Sequence, residues 1–181
     1  MRLRWLVAGF LLGALIIGFL MSRWWQTAPP SPEAQAALAE WLDTSCSVGE
    51  TPQKDTDLRM FGGQLETTMI DLFQRGPARR DIDKAEAAAR QQFERTLALI
   101  NSGATAGLPD ADKQALRAAS VDQWAKRAGE DFASSRRVAA LAGLGVTGGS
   151  KGRQLLQSVA ADANSPYRDA ARVIIATAAN P

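Results

Sequence analysis

The chain has no histidine and a single cysteine, Cys46, in 181 residues. Without an imidazole, neither a Ser-His-Asp triad nor a Cys-His pair can be assembled. Zinc is ordinarily held by several Cys or His side chains, and only carboxylates remain here, so neither a metal nor another cofactor is expected. One cysteine also excludes an intramolecular disulfide. Acidic residues are missing from the whole stretch before Glu33, which carries Arg2, Arg4 and Arg23. The 21 basic residues less these three leave 18 against 19 acidic ones. A near-neutral remainder with interspersed signs gives no electrostatic ground for a nucleic-acid partner.

The clearest positive signal is "MRLRWLVAGFLLGALIIGFLMSRWW". From Trp5 to Met21 it runs 17 residues without a charge. With its flanks to Trp25 it approaches the roughly 20 residues that a helix needs to cross a hydrocarbon core. Trp5 at one end and Trp24–Trp25 at the other suit the two interfaces, where an indole has both an apolar body and a polar N–H. Bulky tryptophans stand where a cleavable leader would need small residues, so an uncleaved anchor over 1–26 is expected. Arg2, Arg4 and the α-amino group outnumber Arg23, which puts the N-terminus in the cytoplasm and the body outside it. The implied location is a bacterial-type inner membrane, crossed once, with the bilayer as the first partner. Gly9 and Gly13 form a GxxxG pair, the spacing that lets two membrane helices approach closely, and a homodimer through this face is one expectation.

"TAPPSPE" (27–33) reads as a stiff linker, because three prolines in four positions forbid regular helix. Residues 34–181 read as an all-α body. A short helix is expected from Glu33 to Leu42, then a polar loop over 44–57 that holds Cys46. Leu58, Phe61, Leu65, Met69 and Leu72 form one helical stripe, stopped by Gly76–Pro77. A longer helix follows, capped by Asp81, with Ile82, Ala85, Ala89, Phe93, Leu97 and Ile100 on one face and a Glu86–Arg90 pair outside. A short helix is expected near 110–119. Ser120 and Gln123 then make a capping box, and Val121, Trp124, Ala128 and Phe132 are expected to face inward.

"GLGVTGGSKGRQ" (143–154) satisfies G-x-G-x-x-G at Gly143, Gly145 and Gly148, and its "VTGGSKG" resembles the cofactor loop of short-chain dehydrogenases. That loop rests a pyrophosphate on a helix N-terminus. Here Arg153 replaces the expected final glycine, and 29 residues follow Gly152, too few for the remainder of a nucleotide-binding sheet. No alternation of strands and helices precedes it. A phosphate-binding P-loop fails as well, since Lys151 is followed by Gly152. The expectation is a turn between two helices.

Another pattern crosses this region. "DFASSRRVAA" and "DANSPYRDAA" share five of ten positions at an offset of 31: Asp131/Asp162, Ser134/Ser165, Arg137/Arg168, Ala139/Ala170 and Ala140/Ala171. Each serine is placed to cap a helix, and each Asp to pair with the Arg six residues on, across the turn. With "RRVAALAGLG" and "RQLLQSVAAD" as successive helices, residues 131–181 resemble HEAT-like helical repeats. The resemblance implies a stacked helical surface that binds other proteins.

The expected fold is therefore all-α: one transmembrane helix followed by an extracytoplasmic helical bundle with HEAT-like helix pairs at its C-terminus. The expected function is that of a non-enzymatic, membrane-tethered interaction domain. Its partner would be an envelope or membrane protein, as for an accessory or scaffold subunit of a cell-envelope complex. Two alternatives remain open. One is an envelope-glycan hydrolase working through carboxylates such as Glu66, Glu94 or Glu130. The other is a ligand-carrying helical bundle.

Overall fold

A computed structural model describes residues 29–44, 52–104 and 107–178, and all their regular structure is helical. Among them are eight helices: α1 (Pro32–Thr44), α2 (Pro52–Met60), α3 (Gly62–Arg75), α4 (Arg79–Asn101), α5 (Asp110–Ala118), α6 (Val121–Thr147), α7 (Ser150–Ala161) and α8 (Arg168–Ala178). The chain divides into two compact units, Met1–Pro32 and Glu33–Pro181. The expected anchor over 1–26, its Gly9 and Gly13, and Cys46 all lie outside the described residues. Among the described helices, none is long and apolar enough to cross a membrane.

The 27-residue α6 is the spine of the second unit. At 1.5 Å per residue it is about 40 Å long. Helices α3 and α4 lie antiparallel to it, one after the other. Gly62 meets Thr147 and Met69 meets Gly143 at one end, whereas Glu86 meets Gly129 and Phe93 stacks on Trp124 at the other. Leu58 of α2, the start of α7 and Ile174 of α8 close around the C-terminal half of α6. Leu58, Leu65, Met69, Leu141 and Leu144 are the largest fully buried side chains of a core that also takes in Ala34 and Leu38 of α1, Leu156 of α7 and Ala171 of α8. Removing that much apolar surface from water is the main stabilising contribution to the fold.

Small residues set the close approaches. A Cβ on Gly143 would stand 2.6 Å from the Met69 sulfur, and one on Gly145 would stand 2.4 Å from Ile174 Cγ2. On the α4 side, Ala125 and Gly129 are the buried residues of α6, and the Glu86 side chain lies over Gly129. Trp124, expected to face inward, is 47% exposed and touches Phe93 with one flank. Its bulk does not fit between helices that meet through glycine.

Several boundaries differ from the sequence reading. The polar stretch expected as loop already begins α2 at Pro52. The stripe from Leu58 to Leu72 is broken at Phe61 into α2 and α3, where buried Gly62 sits against Thr147. Asp81 does not cap α4, whose N-cap is Ala78; it forms ion pairs with Arg80 and Lys84, each at 3.6 Å. The Glu86–Arg90 pair is replaced: Glu86 pairs with Arg79 of its own helix at 3.6 Å, and Arg90 pairs with Asp122 of α6. Ser120 does cap α6, its hydroxyl accepting the Gln123 N–H at 3.4 Å.

Candidate functional site

One concavity is an open groove of about 530 Å³ between α1 and α4. Its walls are apolar, with Leu42, Leu72, Pro77, Ala85 and Phe132 among them. Its charged residues are engaged with one another. Asp43 accepts from Arg136 at 2.8 Å, the Arg136 guanidinium lies 5.0 Å from the centroid of the Phe132 ring, and Lys84 pairs with Asp81. The arrangement suits an apolar occupant with a polar edge. A second groove of about 220 Å³ lies between α2 and α8, with Gly145 and Val146 in its floor and Asp55 and Arg59 on one side. Among the described residues, no group of three or more acidic or cysteine side chains is arranged to hold a metal ion.

The glycine-rich segment is a helix end, a turn and a helix start. Gly143 and Gly145 lie inside α6, where they serve packing. Gly148 ends the helix in the left-handed region at φ 66°, and its N–H bonds to the Leu144 carbonyl at 3.2 Å. Gly149 is the N-cap of α7. The anion position at that N-terminus is filled by the protein itself. Glu66, from α3, accepts the Gly152 N–H with Oε1 at 2.7 Å, and a Cβ on Gly149 would come within 2.1 Å of the same oxygen. The feature that suggested a phosphate loop is therefore real as chemistry, with an internal carboxylate in the phosphate's place. No motif in the sequence could have shown this, because Glu66 lies 86 residues away.

The four residues of the repeat pattern are placed differently from expectation. Asp131 and Arg137 both lie in the unbroken α6, so no turn separates them. Six residues on one helix amount to about 600°, which leaves their side chains some 120° apart. Asp131 is exposed, while Arg137 Nε donates to the Phe73 carbonyl at 3.1 Å and lies against Gly76. Ser134 is likewise within the helix rather than at its start. The second copy does begin a helix. The Ser165 hydroxyl accepts the Tyr167 N–H at 3.2 Å, one residue before α8. Asp162 Oδ1 accepts the Asn164 N–H at 2.9 Å, and Arg168 Nε is buried without a hydrogen-bond partner. Among the described residues, neither Asp–Arg couple forms an ion pair. Tyr167 instead stacks edge-on against Phe73, with ring centroids 5.4 Å apart, so the end of α3 and the start of α8 meet.

The other carboxylates singled out from the sequence lie apart from both grooves. Glu94 is exposed, and Glu130 is exposed and 3.9 Å from Lys126. No family model, curated protein or solved structure matches this chain.

Proposed function

We propose that the chain is a single-pass, membrane-tethered helical interaction domain. Its N-terminus is cytoplasmic and its body faces the far side of a bacterial-type inner membrane. There the body docks an envelope or membrane protein as an accessory or scaffold subunit. The observation that carries the reading is the uncharged run Trp5–Met21, framed by arginines and tryptophans and joined through a proline spacer to a separate compact helical unit. The hairpin of α7 and α8 against the end of α6 supports a HEAT-like stack as the local architecture. A homodimer through Gly9 and Gly13 belongs to the same proposal.

A reporter active only outside the cytoplasm, fused after Pro181, tests the topology. Signal from that fusion and none from a cytoplasm-active one is the expected pair of results. The reverse pattern, or recovery of the chain in the soluble fraction, overturns the proposal. The 530 Å³ groove favours a second reading, a ligand-carrying bundle, because its walls are apolar and its charges mutually paired. Saturable uptake of an apolar fluorophore, abolished by Ala85→Trp inside the groove, would select this second reading. The glycan-hydrolase reading draws no support from the placements of Glu66, Glu94 and Glu130.

A further inference from the structure

We infer that the groove between α2 and α8 docks a second copy of this chain, in a two-fold dimer that pairs Asp55 of each copy with Arg59 of the other. The first observation is charge. Asp55 and Arg59 stand one turn apart on α2 and are the charged residues among those described around this groove. Among the described residues, neither side chain has an ion-pair or hydrogen-bond partner. In the groove between α1 and α4, by contrast, Asp43 is paired with Arg136 and Asp81 with Lys84. The four-residue spacing would allow Asp55 and Arg59 to pair along their own helix, and they do not. A surface that carries one acid beside one base is its own electrostatic complement when turned through 180°. In such a contact Asp55 meets the partner's Arg59, and Arg59 meets the partner's Asp55.

The second observation is the apolar surface beside these charges. Val173 of α8 is 64% exposed, and Met60, next to Arg59, is 72% exposed. From Val173 to Ala178, α8 carries no charged side chain. Val173 and Thr177 line one side of the groove, and its floor is built from Ala142, Gly145 and Val146 of α6. Gly145 leaves that floor without a side chain of its own, so the same surface offers both a protruding valine and a recess. A two-fold rotation sets each against the other. The size of the recess favours side chains over a small molecule. Its volume of about 220 Å³ is short of the roughly 300 Å³ at which small-molecule pockets begin, and it is enough for a few aliphatic groups from a neighbouring helix. This contact is separate from any pairing through Gly9 and Gly13, and it stands whether or not residues 5–21 cross a membrane.

Sedimentation of the full chain in detergent micelles is the test. Every variant carries Gly9→Leu, Gly13→Leu and Cys46→Ser, so that association through those residues is excluded. The parent of this series is expected to be dimeric at micromolar concentration. Asp55→Lys and Arg59→Glu each set like charges against one another across the two-fold axis, and each should weaken dimerisation about tenfold or more. An equal mixture of the two should recover the dimer, because a copy bearing two bases then faces a copy bearing two acids. Neither a foreign partner nor a bound ligand gives that recovery. Val173→Glu should abolish the dimer while circular dichroism shows the parent's helix content, since Val173 is exposed. A monomeric parent overturns the inference and leaves the groove to a foreign helix or an amphiphile. So does a mixture no more dimeric than its two components, or a Val173→Glu chain that dimerises as the parent does.

Discussion

Replacing Glu66 tests whether the glycine-rich turn is organised around an internal anion. In Glu66→Ala the Gly152 N–H loses the oxygen that now lies at 2.7 Å, and the first turn of α7 loses its negative charge. A hydrogen bond to an ionised side chain contributes about 1.5–3 kcal/mol net. The interaction with the helix dipole is within the same charge, so it is not added separately. Because Glu66 is half-buried, water can replace part of what is lost, and the expected cost is about 2 kcal/mol. For a body of this size that lowers the melting temperature by about 4–8 °C. Circular dichroism melts and urea titrations of the full chain give the value.

The glycine beside the carboxylate supplies the control. Gly149 has φ −62°, an ordinary value for alanine, yet its Cβ would come within 2.1 Å of Glu66 Oε1. Gly149→Ala should therefore be about as costly as Glu66→Ala in the native background. In the Glu66→Ala background it should be neutral, or stabilising by about 0.4–1 kcal/mol through the less flexible unfolded chain. Such strong coupling is the mark of two residues competing for one place. Additive losses, or a Glu66→Ala variant within about 0.3 kcal/mol of the parent chain, would refute the reasoning.

Gly143→Ala places a methyl group 2.6 Å from the Met69 sulfur and 3.2 Å from Trp41 Nε1, and should cost about 1–3 kcal/mol in urea titrations. Met69→Ala in the same chain should recover part of that loss, since it frees the space. Arg137→Ala removes the donor to the Phe73 carbonyl at 3.1 Å and should destabilise by about 1–2 kcal/mol. Arg137→Lys should restore little, because a single ammonium cannot reproduce the planar contact with Gly76; full recovery would contradict this role. Gly148→Ala, at φ 66°, should cost about 1 kcal/mol from left-handed strain. Neither it nor Lys151→Ala should alter nucleotide affinity, because calorimetry with NAD or ATP should find none in the parent chain; saturable micromolar binding would overturn the assignment of the turn.

Local chemistry was the legible part of this molecule. The all-helical architecture followed from the 3.6-residue periodicity of stripes such as Ile82–Ile100 in α4. The Ser120 cap depended on residues three apart, and the turn at Gly148–Gly149 on a backbone preference. What failed depended on distant partners or on helix continuity. Ser134 looks like a helix start, but it lies inside α6, where the hydroxyl of its neighbour Ser135 donates to the Phe132 carbonyl at 2.9 Å. It is satisfied inside an unbroken helix, so the apparent cap stops nothing. Arg137 answers to Phe73, 64 residues away, and not to the nearby Asp131. Glu66 looked like a surface charge or a candidate acid because its partner, a backbone N–H, has no signature in sequence. The grooves were likewise illegible, since they arise where α1 stands off from α4 and α2 from α8.

The spine also limits how the length of this chain can change. Along α6, Asp122 and Gly129 serve α4, while Arg136, Ala139 and Gly143 serve α1 and α3. One residue inserted between Gly129 and Arg136 would rotate one set against the other by about 100° and separate them by about 1.5 Å. Seven residues nearly restore the facing, at about 700°, but lengthen α6 by about 10 Å. Helix α4 would then need a matching addition to keep Glu86 over Gly129. Insertions and deletions in this hairpin are thus acceptable only as paired steps of about two turns in α4 and α6. Single-residue changes of length belong at Ser102–Gly103 or Gly107–Pro109, described residues between α4 and α5 in which no helical register has to be kept.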